Sequence, residues 1–171
     1  MLRRWLLMGA VILCAGAMAW YVLPSAPKRL AEGSMAPDYV LPNLVGQTFS
    51  LPKDSVVLLN FWATWCPPCR QEMPSMADLH KTLAKQGLSV VAISVDRDPQ
   101  ALAAFVREYN LPFQILHDED SNTSQNYGVF RYPESFLIDR NGIIRRHLIG
   151  AIDWMSPNVM RDVEAILAEQ A

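Results

Sequence analysis

Two cysteines separated by two prolines, Cys66 and Cys69, place the strongest constraint on what this chain can fold into. Residues 56–62 before them are apolar and rich in β-branched and aromatic side chains, which predicts a buried strand. A helical pattern follows, so the pair lies where a strand is succeeded by a helix. Two sulfurs three residues apart on a first helical turn can reach bonding distance without distorting the backbone.

Pro67 and Pro68 suit the first turn of that helix. Their missing N–H groups would have no helical partner there, and their fixed φ matches the helix. The free N–H groups and the positive end of the helix dipole favour a thiolate at Cys66. We therefore predict that Cys66 is the exposed, attacking thiol. Cys69, further into the helix, is predicted to be the buried resolving thiol.

Zinc sites and structural disulfides also use this cysteine spacing. Zinc needs about four ligands, whereas the only other cysteine, Cys14, lies in an apolar N-terminal segment. The three histidines match no ligand spacing: they are His80, His117 and His147. A structural disulfide that closes so small a loop would add little stability. A redox-active dithiol is the favoured interpretation, and no metal ion or organic cofactor is expected.

Residues 1–24 are predicted to form a membrane anchor or a signal segment. Residues 5–23 carry no charge, which is just long enough for a helix to span a bilayer. Arg3 and Arg4 before them favour a cytoplasmic N-terminus and an exported remainder. Ala17-Met18-Ala19 has the form of a signal cleavage site. The apolar run continues beyond that site, however, which favours an uncleaved anchor over a cleaved signal peptide.

The remaining chain divides into a linker, residues 25–32, and one domain, residues 33–171. The linker contains two prolines, small residues and two charges. Setting aside Arg3 and Arg4, the 15 basic side chains become 13, against 17 acidic ones. No basic patch alternates with aromatic residues, so a nucleic-acid partner is not expected.

Within the domain, predicted strands alternate with predicted helices, which indicates an α/β fold with a largely parallel sheet. The turn at residues 139–142 contains Asn-Gly and joins two strands as an antiparallel hairpin at the sheet edge. His147, in the second of these strands, is expected at the surface. Further elements are expected at residues 39–41, 48–51, 70–86, 89–95, 99–109, 111–116, before Tyr127, and after Ser156-Pro157.

The segment Phe-Trp-Ala-Thr-Trp-Cys-Pro-Pro-Cys-Arg-Gln-Glu-Met-Pro, residues 61–74, resembles the thioredoxin superfamily. Its wider context resembles the membrane-anchored extracytoplasmic branch, the TlpA/ResA-like and cytochrome c maturation thioredoxins. Gly-x-x-Ala-Pro-Asp at residues 33–38 extends the resemblance. It implies a thioredoxin fold, with a central mixed sheet flanked by helices on both faces and with additional N-terminal strands. It also implies an added helix and strand between residues 96 and 120.

Glu72 follows Cys69 by three residues on the predicted helix. On a helix alone, a solvated glutamate is the simpler interpretation. A carboxylate in a partly apolar site would instead have a raised pKa and could accept the proton of Cys69. The resemblance favours this role, because the related thioredoxins carry a functional glutamate at this motif position. The predicted catalytic residues are therefore Cys66, Cys69 and Glu72.

Pro133 directly precedes a predicted strand, and chain statistics alone favour a trans peptide bond there. The resemblance implies the cis-proline loop of the family, in which the backbone before the proline faces the dithiol and pairs with a substrate strand. Tyr132 is larger than the residue usual there, so it is expected to cover Cys66 partly or to supply a stacking surface. Glu134 either lines the groove or lies in solvent. The other predicted supporting residues are Trp65, Pro67 and Pro68.

The predicted reaction is thiol–disulfide exchange. The resemblance implies a reductase of exported proteins, including apocytochrome c, that receives electrons from a membrane thiol–disulfide donor. It implies a single-pass protein of the bacterial inner membrane with its domain in the periplasm or outside; a soluble periplasmic protein is the alternative. A disulfide-forming oxidase would use the same residues. A peroxidase would require threonine at position 63 and proline at position 59, whereas this chain has Ala63 and Leu59. A chaperone or binding module with an incidental dithiol is the remaining alternative.

Overall fold

The computed structural model describes residues 30–169 continuously, together with positions 4, 5, 8, 9, 13, 14, 18 and 20. Most of the predicted anchor and of the linker lies outside the described residues. Within the described residues, no helix is both long enough and apolar enough to cross a membrane.

The described domain contains seven strands and four α-helices. The strands are β1 (Leu41–Pro42), β2 (Thr48–Phe49), β3 (Val56–Trp62), β4 (Leu88–Ser94), β5 (Gln114–His117), β6 (Glu134–Ile138) and β7 (Ile144–Ile149). The helices are α1 (Pro67–Leu83), α2 (Pro99–Tyr109), α3 (Asn122–Asn126) and α4 (Pro157–Ala168), and a 3-10 turn, Ala84–Gln86, extends α1. The order of elements agrees with the sequence prediction, and most boundaries differ from it by only a few residues.

Strand β3 is the centre of a five-stranded mixed sheet with the order β5-β4-β3-β6-β7. It pairs in parallel with β4 and antiparallel with β6. All of its residues are buried, as expected for a strand covered on both faces. The β6–β7 hairpin forms the antiparallel edge that the Asn-Gly turn predicted. The predicted α/β fold with a mixed sheet is thus confirmed.

The three longer helices cover one face of the sheet. The chain moves in one direction from β3 to β4 and from β4 to β5, so two right-handed crossovers place α1 and α2 on the same side. Buried side chains of α1, α2 and α4 share one apolar cluster with alternate residues of β3, such as Leu58 and Trp62. The active-site helix is therefore packed against the sheet along its length.

The other face of the sheet is covered by one short helix, α3, and by residues near the start of the described domain. The intervening β3 residues, such as Phe61, lie in a second cluster with Tyr127, which directly follows the short helix α3. The N-terminal residues cross this face, because Met35 bridges to Ile143 and Asn43 bridges to Leu116. Only the connection from β5 to β6 runs back across the sheet, and it contains just one short helix.

The residues that precede two of the helices differ in whether their side chains cap the helix. Asp98 caps α2, because its carboxylate accepts hydrogen bonds from the N–H groups of Gln100 and Ala101. Asp96, from the same acidic stretch, is directed toward the active site instead. Ser156 precedes α4 as predicted, but its side chain makes no capping hydrogen bond.

We expect Leu79→Ala to lower the free energy of unfolding by about 2–5 kcal/mol, because Leu79 of α1 is fully buried against the sheet. Urea unfolding of the oxidised protein measures this loss. The matched control is Lys81→Ala on the exposed side of α1, which should change stability by about 0.5 kcal/mol or less. Equal effects of the two substitutions would contradict the described packing of α1.

Candidate active site

Cys66 and Cys69 form a disulfide at the N-terminus of α1, with an S–S distance of 2.10 Å and a Cα–Cα distance of 5.3 Å. Cys66 is the N-cap residue in an extended conformation, and its Sγ accepts a hydrogen bond of 3.3 Å from the N–H of Cys69. Pro67 and Pro68 occupy the first helical positions, as predicted, and both are exposed. The start of α1 therefore directs the Cys69 N–H group, which has no partner within the helix, at the Cys66 sulfur, where a thiolate would carry its negative charge.

The exposure of the two sulfurs differs in the predicted direction but not in the predicted amount. Cys69 is fully buried, whereas Cys66 retains 5% of its surface. Cys66 is thus not an exposed residue in the disulfide state. The residue joins the apolar cluster beneath α1, against which Tyr132 also packs. Only a small part of the Cys66 surface is therefore open to a substrate in the disulfide state.

Glu72 is buried, with 2% of its surface exposed, and lies one helical turn beyond Cys69 on α1. Its Oε1 accepts a hydrogen bond of 2.8 Å from the Asn60 side-chain amide, and its Oε2 accepts one of 3.0 Å from the Ile152 N–H. Burial raises the pKa of Glu72 to about 7, although these hydrogen bonds oppose the shift. The interpretation of Glu72 as a solvent-exposed residue is therefore excluded. Its carboxyl group can hold or release a proton near neutral pH.

Asn60 fixes the Glu72 carboxylate from the middle of β3. Its amide also donates a 2.8 Å hydrogen bond to the hydroxyl of Ser135, its partner on β6. The sequence interpretation did not identify either residue as part of the site. A single polar residue inside an otherwise apolar central strand was the available signal, because a buried amide requires partners.

A small cavity of about 220 Å³ lies on the other side of Glu72. Gln71, Ser75 and the loop of residues 151–153 line it with Glu72. The Ser75 hydroxyl donates to the Glu72 carbonyl and accepts from the Trp154 N–H, which ties this loop to α1. The cavity therefore places open space next to the buried carboxyl group.

The peptide bond between Tyr132 and Pro133 is cis, which confirms that prediction. Pro133 is buried, and its carbonyl accepts a 2.9 Å hydrogen bond from the Gly150 N–H on the neighbouring chain segment. The Tyr132 ring meets the Trp65 ring edge to face, with centroids 5.9 Å apart. Trp65 is 63% exposed, so the two rings form an aromatic rim beside Cys66.

Glu134 corrects both interpretations made from the sequence, because it neither lies in solvent nor lines an open groove. It is fully buried, and its Oε1 is 2.5 Å from Nε2 of His147. Its Oε2 accepts hydrogen bonds from the N–H groups of Phe130 and Arg131, at 3.2 and 3.4 Å. The carboxylate therefore holds the backbone of the loop that carries Tyr132. Its removal from solvent is possible because three donors compensate the charge.

His147 is likewise not the surface residue that the strand pattern predicted. Its side chain is 13% exposed and stacks on Phe136, with ring centroids 4.3 Å apart. The alternation of apolar residues along β7 predicted a surface position for His147. The side chain is mostly buried instead, because a buried carboxylate on the neighbouring strand provides its imidazole with a polar partner. The pair places a buried polar contact directly behind the cis-proline loop.

Asp96 is a further supporting residue that the sequence interpretation did not identify. It follows β4 and is buried, with 2% of its surface exposed. Its carboxylate accepts hydrogen bonds from the Thr64 N–H at 2.9 Å and from the Thr64 and Ser94 hydroxyls at 2.6 Å. The carboxyl ends of parallel strands β3 and β4 meet at one sheet edge, so Asp96 can hold the loop that leads to Cys66.

We expect the stability difference between Glu72→Gln and the parent to depend on pH. The folded state binds the Glu72 proton more tightly than the unfolded state, for which the ordinary pKa is 4.5. The parent therefore loses stability as pH rises from 4.5 to about 7 and keeps that penalty above it. Glutamine cannot ionise, so urea unfolding should show Glu72→Gln gaining about 3 kcal/mol relative to the parent between pH 4 and pH 8.

Glu164→Gln on the exposed side of α4 is the matched control and should show no such trend. A pH-independent difference for Glu72→Gln would contradict the raised pKa of Glu72.

Comparisons with known proteins agree with this site. Residues 33–147 match the AhpC/TSA family model. The chain is 38% identical over 160 residues to the thioredoxin-like protein YneN of Bacillus subtilis, covering 89% of this chain and 93% of that protein. It is 38% identical over 125 residues to the thiol-disulfide oxidoreductase ResA of Geobacillus thermodenitrificans, covering 72% of each.

A solved structure from Chlorobium tepidum, assigned as the thiol:disulfide interchange protein DsbE, superposes with a TM-score of 0.77 at 34% identity. The match covers 81% of this chain and 99% of that chain. ResA and DsbE are named for thiol–disulfide chemistry, and Cys66 and Cys69 form a disulfide here. The chain therefore belongs to the AhpC/TSA family, with a thioredoxin-like fold and the dithiol of a thiol–disulfide oxidoreductase.

Proposed function

We propose that this protein is a membrane-tethered reductase that returns disulfides of exported proteins to the thiol state. The observation that carries the exchange chemistry of this proposal is the arrangement of the dithiol: Cys66 caps a helix N-terminus, and the fully buried Cys69 precedes a buried glutamate by one turn. This arrangement separates an attacking thiol from a resolving thiol. Names of the relatives, such as thiol-disulfide oxidoreductase, support the same chemistry.

The reaction begins with the reduced protein. The Cys66 thiolate attacks one sulfur of the substrate disulfide, a mixed disulfide forms, and the first substrate sulfur leaves as a thiolate that takes a proton from water. Cys69 then attacks the Sγ atom of Cys66, and the second substrate sulfur leaves. The substrate gains two electrons, and the protein ends as the Cys66–Cys69 disulfide.

Glu72 is proposed to accept the proton of Cys69 during the second attack. A buried thiol has a raised pKa, so it needs a base to become a nucleophile. With its own pKa raised to about 7, Glu72 is a base of suitable strength near neutral pH. The adjacent cavity supports return of the proton to solvent.

The cis-proline loop is proposed to bind the substrate backbone beside Cys66. Tyr132 and Trp65 supply an aromatic rim, and the Glu134 carboxylate holds the loop from below. An extended substrate segment would add a strand at the backbone before Pro133. Pro67 and Pro68, both exposed, would form the opposite wall of this binding site.

The N-terminal residues are proposed to tether this domain to the membrane. Residues 1–24 would serve as the anchor, residues 25–32 as the linker, and residues 33–171 as the catalytic domain. The uncharged run of residues 5–23, preceded by Arg3 and Arg4, supports a domain on the outer side of the bacterial inner membrane. A membrane thiol–disulfide protein would supply electrons, and apocytochrome c before haem attachment is one proposed substrate.

We expect the Cys66–Cys69 pair to have a reduction potential near that of thioredoxin, about −270 mV, because a reductase must give electrons to its substrate. Equilibration of the protein in graded thiol buffers measures it. A value near about −120 mV would contradict the reductase and indicate a disulfide-forming oxidase. Cys14→Ser should leave the potential unchanged, since Cys14 takes no part in the disulfide.

Cys66→Ser should abolish thiol–disulfide exchange, whereas a binding module would keep its function.

We expect Glu72→Gln to slow resolution of the mixed disulfide by about a hundredfold above neutral pH, because Cys69 would lose its base. Stopped-flow measurement of substrate release across pH 5–9 should show a rise near the Glu72 pKa of about 7 in the parent only. Glu164→Gln, on the exposed side of α4, should retain the pH profile of the parent. An unchanged profile in Glu72→Gln would remove Glu72 from the mechanism.

A further inference from the structure

A shallow groove of about 350 Å³ lies immediately beside Cys66. It is lined by Thr64, Trp65, Pro67, Arg70, Gln71 and Tyr109. These residues flank Cys66 along the chain or lie one turn further along α1, except for Tyr109, which ends α2. The groove shares Gln71 with the cavity beside Glu72, and it shares Trp65 and Pro67 with the proposed substrate-binding site. Arg70 and Tyr109 have no role in the chemistry proposed above.

Arg70 provides the only cationic side chain of this groove. The backbone N–H of Arg70 donates a 3.2 Å hydrogen bond to the Cys66 carbonyl. The two residues therefore lie on the same side of the helix, one turn apart. One helical turn rises about 5.4 Å, whereas an extended peptide advances about 3.3 Å per residue. A substrate residue within two positions of the cysteine bonded to Cys66 is therefore within reach of Arg70.

The guanidinium of Arg70 is held in place although it is exposed. Its Cζ lies 5.5 Å from the Phe105 ring centroid and 5.9 Å from that of Tyr109, and its Nη2 donates a 3.2 Å hydrogen bond to the Tyr109 hydroxyl. The two rings stack on each other at 4.1 Å. This support restrains a side chain that would otherwise lose much rotamer freedom on binding a ligand.

The fork of Arg70 keeps donors available for a ligand. The Tyr109 hydroxyl uses one of five guanidinium N–H donors. The Tyr109 hydrogen bond and, more weakly, the nearby Glu108 carboxylate raise the pKa of Arg70. The ion pairs found among the described residues do not include Arg70, so no carboxylate occupies its fork. Trp65, at 63% exposure, forms an apolar wall of the groove and would partly shield a bound anion from water. A carboxylate is the protein group that matches a guanidinium fork with two hydrogen bonds.

We propose that this groove is a specificity subsite that binds an aspartate or glutamate of the substrate protein, within two residues of the cysteine that Cys66 attacks. The inference rests on the proposed function and narrows its substrate class to disulfides with a neighbouring acidic side chain. Arg70 acts here through binding and not through the transfer of a proton or an electron.

The test uses peptides that each contain one cysteine and are joined as disulfide dimers. One position within two residues of the cysteine, on either side, carries Asp, Asn or Lys. The reduced full-length protein in detergent reacts with each dimer in a single turnover, which yields two peptide thiols and the Cys66–Cys69 disulfide. The measured quantity is the second-order rate constant, so no electron donor is required.

The parent protein should reduce the best-placed Asp peptide about fivefold faster than its Asn counterpart, the effect of one supported ion pair. Arg70→Gln should remove this preference and leave the Asn peptide rate nearly unchanged. Arg70→Glu should reverse the preference toward the Lys peptide, a gain that a damaged protein would not show. Arg107→Gln, which removes an exposed charge of α2 outside the groove, should retain the parent preference.

Three results would overturn the subsite while leaving the proposed function intact. They are equal parent rates for all peptides, an Asp preference that survives in Arg70→Gln, and an Asp preference lost equally in Arg107→Gln, which would indicate general charge attraction. A parent that reduces none of the peptides would overturn the proposed function, and the subsite with it.

Discussion

The burial of β3 on both faces is the constraint on which the rest of the structure depends. An apolar central strand must be covered on each side, which forces α1 against one face and the N-terminal residues across the other. Only residues 63–66 separate the end of β3 from the start of α1, so the same burial that stabilises the fold places Cys66 at a helix N-terminus. Stability and reactivity here originate from one junction.

Charged side chains that support the dithiol are buried around this junction, each with compensating donors. Glu72 is held from below by Asn60 and Ile152, Glu134 holds the cis-proline loop, and Asp96 holds the loop before Cys66. They differ in consequence. The pKa of Glu72 is raised because burial outweighs its hydrogen bonds, which suits it to proton transfer. The other two are engaged in positioning backbone that the dithiol and its substrate require.

The surroundings of Cys66 differ on the two sides of the dithiol. Behind the dithiol lies a buried carboxyl group with a small cavity, and in front lies an aromatic rim formed by Trp65 and Tyr132. Arg70 lies to one side, supported by stacked rings of α2. The helix that begins at Cys66 and contains Cys69 thus also carries the proposed proton acceptor, Glu72, and the proposed specificity residue, Arg70, within its first two turns.

The order of elements, the dithiol at a strand–helix junction, the β6–β7 hairpin and the proline before β6 could be predicted from the sequence, because they depend on local spacing, turn chemistry and helix-end geometry. The cis state of the bond before Pro133 was predicted from family resemblance, since local statistics favour trans. The burial of Glu72 and the pairing of Glu134 with His147 could not be predicted in this way. Residues far apart in sequence make those contacts, as Glu72 and Ile152 do across 80 positions, and strand register and helix packing bring them together.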